Sequence, residues 1–226
     1  MTTAFTESGA IEGVYAPQQD TQLLIDALDK TELAPGRRIA DLCTGSGLVA
    51  LSAAEMGAAS VTAFDMCPTA VQCARANARA ARLSVDVHVG SWCRAIEFEP
   101  FDVVVCNPPY VPHDPGAGGE SFPAHVPELA VNAGRDGRLV LDPLCATAPD
   151  LLTDGGTLLL AQSEFADVDQ SLHALCAVGL DADVLIQQWI PFGPVMSARA
   201  DWLERTGRLR PGRRDERIVV IRADKR

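Results

Sequence analysis

The run Phe101-Asp102-Val103-Val104-Val105-Cys106-Asn107-Pro108-Pro109-Tyr110 joins a strand to a ligand site without a break. Apart from Asp102, its first six residues are apolar, and β-branched at the centre, the pattern of a strand buried in a parallel sheet. Its last four end that strand in an amide, two prolines and an aromatic ring. In open α/β sheets, ligands bind at the carboxyl ends of the strands. Each proline fixes its own φ and restricts the residue before it, so the Asn107 side chain and the Pro108 carbonyl are expected to be held still. Two fixed acceptors can grip both hydrogens of a planar –NH2 group, and a ring such as Tyr110 can stack on its plane. The competing reading is a proline-rich turn that only ends the strand.

Outward from this strand the pattern alternates. Residues 18–28 read as a helix with Leu23, Leu24, Ala27 and Leu28 on one face, broken by Pro35-Gly36. Strands are predicted over 38–43, 60–64, 84–89, 101–106, 156–162, 182–190 and 217–221, and further helices over 48–56, 68–82, 139–152 and 168–178. Strictly alternating 84–89 reads as a half-exposed edge strand. The alternation demands right-handed βαβ units, hence an α/β fold with a mainly parallel sheet. No helix is read between the last two strands, which leaves them free to pair antiparallel. The Gly/Pro-rich stretch 111–132 is read as a substrate-side lid. Around residues 199–217, seven arginines interleave with acidic residues. That segment reads as a solvated loop, with a docking surface for an acidic partner as the alternative.

Composition narrows the function. The 226 residues carry a formal net charge of −11. A protein that grips a phosphate backbone shows a basic footprint, so nucleic acid is disfavoured as a partner. No stretch reaches the roughly 20 apolar residues of a membrane helix, and the first residues lack a signal peptide's basic and apolar regions. A cytoplasmic protein without membrane contact is therefore expected. The seven cysteines form no C-x-x-C pair, and the four histidines show no ligand spacing, so neither disulfides nor a metal is expected. His113 and His125, near the Asn-Pro-Pro-Tyr run, are read as solvated loop residues, with a role near substrate as the alternative.

A second motif, Asp41-Leu42-Cys43-Thr44-Gly45-Ser46-Gly47, lies where the first strand turns into its helix. Gly45 and Gly47 allow a tight turn and close approach to a ligand. Asp65 ends the second strand, at the distance where an acidic side chain takes ribose hydroxyls. Ala50 stands where a dinucleotide site places its third glycine. Asp41 would repel a pyrophosphate but suits a cationic ligand with an amino group, such as S-adenosylmethionine.

At these residues the chain resembles the class I S-adenosylmethionine-dependent methyltransferases, and more narrowly the HemK-like protein-(glutamine-N5) methyltransferases that act on peptide chain release factors. The resemblance implies a Rossmann-like fold: a mainly parallel seven-stranded sheet, an antiparallel last strand and helices on both faces. It implies an N-terminal cofactor-covering segment and helix (1–34) and a catalytic region (35–226), together one domain. It assigns cofactor binding to Asp20, Thr21, Asp41, Thr44, Gly45, Ser46, Gly47, Asp65, Met66, Ser91, Trp92 and Asn107, and catalysis to Asn107, Pro108 and Tyr110. Three departures stand out. The short N-terminal region resembles the archaeal and eukaryotic branch, which works with a small activator protein. Ser91 replaces the acid that meets adenine, and Val126-Pro127 replaces a Glu-Pro in the lid. A release factor-like protein is the expected methyl acceptor. The alternatives are a small-molecule amine or amide and, behind it, a nucleic acid exocyclic amine.

Overall fold

The computed structural model describes residue 14, residues 16–113 and residues 133–226. Of the lid read over 111–132, residues 114–132, with His125 and Val126-Pro127, lie outside the described residues. Helices α1 (Gln19–Lys30), α2 (Leu48–Glu55), α3 (Pro68–Ala81), α4 (Leu141–Leu151), α5 (Val168–Ala177) and α6 (Pro194–Arg205) surround seven strands. The strands are β1 (Arg38–Leu42), β2 (Ser60–Asp65), β3 (Asp86–Val89), β4 (Phe101–Cys106), β5 (Leu152–Ser163), β6 (Leu180–Pro191) and β7 (Asp215–Lys225).

Their order in the sheet is β3-β2-β1-β4-β5-β7-β6. The first five are parallel to one another, while β7 runs antiparallel to both β5 and β6. From β1 the chain steps outward to β2 and β3, then returns to place β4 on the other side of β1. That reversal creates a crevice at the carboxyl ends of β1 and β4, the position where ligands bind in such sheets. The register pairs Leu42 with Cys106 and with Phe64, so the glycine turn, the Asn-Pro-Pro-Tyr run and Asp65 emerge side by side. As the sequence predicts, β3 is an edge strand, with an exposed Asp86 paired to His88.

The core is continuous from Leu24 and Leu28 on α1, through Ile39, Val104, Val105 and Leu159 in the sheet, to Leu144 and Leu151 on α4. All seven cysteines are free, and no described group of three or more His, Cys, Asp or Glu side chains could hold a metal. Among the described residues no helix is long and apolar enough to cross a membrane.

One prediction fails here. The Arg-rich connection before the last strand contains α6, with Pro194 in its first turn and Val195, Met196, Arg199, Ala200 and Leu203 buried. These positions follow helical spacing, but the crowded charges around them mask it. Arg199 itself is fully buried, neither solvated nor available for docking.

Candidate active site and cofactor cavity

Two cavities meet at Asn107 and Pro109. The larger, of about 330 Å³, is lined by the β1–α2 turn, the ends of β2 and β4, and residues 90–92. The smaller, of about 70 Å³, lies between the Asn-Pro-Pro-Tyr run, α1, the end of β6 and the start of β7.

The larger cavity is shaped by its backbone. Gly47 adopts φ +86° at the start of α2, and a Cβ there would stand 2.9 Å from that of Ala74. Neither the conformation nor the space tolerates a side chain. Gly45 has φ +55°, and its N–H donates to Asp65 Oδ2 at 2.8 Å. The other Asp65 oxygen accepts from the Cys67 N–H at 2.8 Å. Asp65 thus braces the turn while lining the cavity, and burial raises its pKa. Asp41 Oδ2 accepts from Thr44 Oγ1 at 2.5 Å and from the Ala50 N–H at 3.0 Å. Burial pushes its carboxyl up to about 7, against the pull of those two hydrogen bonds and with help from the charge of Asp65.

The remaining predicted cofactor residues divide. Thr21, Ser46, Met66, Ser91 and Trp92 line the larger cavity. Ser91 Oγ lies 2.7 Å from Cys93 Sγ, and Trp92 also packs on the core. Asp20 lines the smaller cavity instead, where its Oδ2 accepts from the Tyr110 hydroxyl at 2.7 Å. Asn107 bridges the two. Its Nδ2 donates to Thr21 Oγ1 at 3.3 Å, while Oδ1 is buried with no hydrogen-bond partner among the described residues. Buried polar atoms are almost always satisfied, so an orphan acceptor between two cavities marks a place where a donor belongs. Pro108 and Tyr110 line the smaller cavity beside it.

Residues 10–118 match the methyltransferase small domain family. The release factor glutamine methyltransferase of Deinococcus radiodurans is 38% identical over 146 residues, 64% of this chain and 52% of that protein. The chain is similar to the HemK-like class I methyltransferases. It spans about half the length of the bacterial relatives named here, the protein from Gloeobacter violaceus included, at 35% identity and 53% of its length. A candidate protein N5-glutamine methyltransferase of Methanocaldococcus jannaschii is matched over 91% of its length at 26% identity. In fold, the chain superposes on a chain of the E. cuniculi Mtq2–Trm112 complex, responsible for methylating the translation termination factor eRF1. The TM-score is 0.65 at 23% identity, covering 94% of this chain and 99% of that one.

The family's cofactor is S-adenosyl-L-methionine, and the residues present fit it. The larger cavity offers acceptors, Asp41, Asp65 and Ser91, beside Thr21 and apolar walls, which suits an adenosine and an ammonium group. In its ionised form the buried Asp41 carboxyl would repel a pyrophosphate and suit a cation.

Sequence reasoning missed the far wall of the smaller cavity. Gln18 at the start of α1, Ile190 of β6, Met196 of α6 and Glu216 of β7 close it from four places distant in sequence. No local motif announces them.

Proposed function

We propose that the chain is an N-methyltransferase that uses S-adenosyl-L-methionine to methylate a glutamine side-chain amide in a release factor-like protein. The orphan Asn107 Oδ1 carries this reading. It sits where the cavities meet, and the bond from Nδ2 to Thr21 fixes which end of the amide faces inward. An incoming –NH2 group supplies the missing donor there.

S-adenosyl-L-methionine supplies an activated methyl group. The chain supplies position. Asn107 Oδ1 and the Pro108 carbonyl accept the two N–H bonds, so the nitrogen lone pair is free to point toward the larger cavity. Tyr110, tied to Asp20, packs against the planar amide. An amide nitrogen is a weak nucleophile, so most of the acceleration comes from orientation, worth up to ~7–11 kcal/mol at best. Similarity to the relatives named above supports a release factor as acceptor and a small activator protein as partner.

The test is mass spectrometry of release factors incubated with the protein and the methyl donor, beside Asn107→Ala. One added methyl on a glutamine is expected, with turnover in the variant reduced at least a hundredfold and cofactor affinity changed little. Methylation that survives in the variant would remove Asn107 from the mechanism.

A further inference from the structure

We infer that Glu216 takes the proton that leaves the acceptor nitrogen, a deepening that rests on the reading under Proposed function. Glu216 opens β7 opposite Ile190 of β6 and lines the smaller cavity together with Asn107, Pro108 and Tyr110. It is buried, and its Oε2 accepts from Ser163 Oγ at 2.6 Å.

The groups facing it come from four elements. Asp20 projects from α1, Glu164 from the turn after β5, Arg213 from the connection before β7, and Ser163 from β5. Arg213 is bound to Glu164 and, at 2.8 Å, to Asp215. Asp20 is bound on Oδ1 by the Thr21 N–H at 2.7 Å and on Oδ2 by the Tyr110 hydroxyl. The Glu216 side chain makes one hydrogen bond among the described residues, through Oε2, and its residue lines the smaller cavity. Burial pushes its carboxyl up to about 7, and the charges of Asp20 and Glu164 add to that shift. The Ser163 hydrogen bond and the charge of Arg213 pull the other way without cancelling it, and buried carboxyls shifted in this way concentrate where chemistry uses them.

The reaction needs such a group. As the new N–C bond forms, the methyl–sulfur bond breaks and its electron pair stays on sulfur. The nitrogen then carries a positive charge until an N–H bond yields its proton. The clamp acceptors, an amide oxygen and a peptide carbonyl, are too weakly basic to keep it. A carboxylate with a pKa near neutrality can hold it and later release it to water, and the N–H electron pair returns to the nitrogen.

The experiment measures kcat against pH, from 5.5 to 9, for methylation of a release factor by wild type, Glu216→Gln and Ser163→Ala. For wild type, kcat should rise with pH and level off near neutrality. Glu216→Gln should lose a hundredfold or more at pH 7, and its inflection, with cofactor Kd held within about twofold. Ser163→Ala removes a hydrogen bond that lowers the Glu216 pKa, so its inflection should move to higher pH. Equal rates and one shared pH profile for all three proteins would overturn the inference and leave the proposed function standing. Absence of methylation by wild type would instead remove the proposed function, and this inference with it.

Discussion

The orientation of one amide controls what the clamp can grip. With Nδ2 of Asn107 bound to Thr21 Oγ1, the acceptor end faces the junction of the cavities. Reversed, the same side chain would offer a donor to a donor. Thr21→Val keeps the shape and deletes the hydroxyl, so it frees the amide to turn. A single hydrogen bond of this kind is worth about 0.5–1.5 kcal/mol, so kcat should fall roughly three- to tenfold, with a smaller change in cofactor Kd. Steady-state kinetics beside calorimetric titration would check this, and a weaker Kd at unchanged kcat would make Thr21 a cofactor ligand only. Asn107 itself is legible in the sequence because two prolines constrain it locally. Its partner lies 86 residues away, and no local rule connects the two.

At the scale of elements, α6 holds the exit of the clamp. Arg199 reaches from its buried face to donate to the Val111 carbonyl at 2.9 Å and the Pro112 carbonyl at 2.8 Å, the two residues directly after Tyr110. Replacing it with methionine keeps the apolar stem and removes the donors from two buried acceptors. The loss should be about 2–3 kcal/mol, or roughly 5–10 °C in Tm for a chain of this size. Hydrogen exchange should quicken at residues 111–113 beyond the change seen in β1. A uniform change across the sheet would reduce Arg199 to a general stabiliser. The parallel strands and their helices were readable because apolar periodicity and glycine turns announce each βα unit. The α6 segment was not, because its apolar stripe is narrow and its arginines suggested solvent. An arginine that is fully buried on a pair of carbonyls looks, in sequence, like any surface arginine.

For the whole molecule, the cofactor cavity is held open at the expense of a buried acid. Asp41 has its carboxyl raised to about 7 by burial, against an ordinary value of 3.8. A carboxyl with a raised folded-state pKa contributes stability that is fully present below the unfolded value and lost as pH rises through the folded one. Without cofactor, the Asp41 contribution should therefore fade between about pH 4 and pH 8. Asp41→Asn imitates the protonated form and can still accept from Thr44 and Ala50. The variant should melt level with wild type near pH 4 and above it at pH 8, by roughly 5 °C or more if a few kcal/mol are recovered. Binding should run the other way. The cation of S-adenosyl-L-methionine favours the ionised carboxylate, so wild-type affinity should strengthen with pH up to about 7, while the variant binds weakly and without that slope. Melting scans and titrations across pH would check both trends on the same two proteins. A variant that melts lower at pH 8, or that keeps wild-type affinity, would mean Asp41 serves the fold of the turn and not the cation. The sequence placed Asp41 at the turn and matched its charge to the ligand. Its burial and raised pKa depend on α2 and β2 closing over it, which only the folded chain shows.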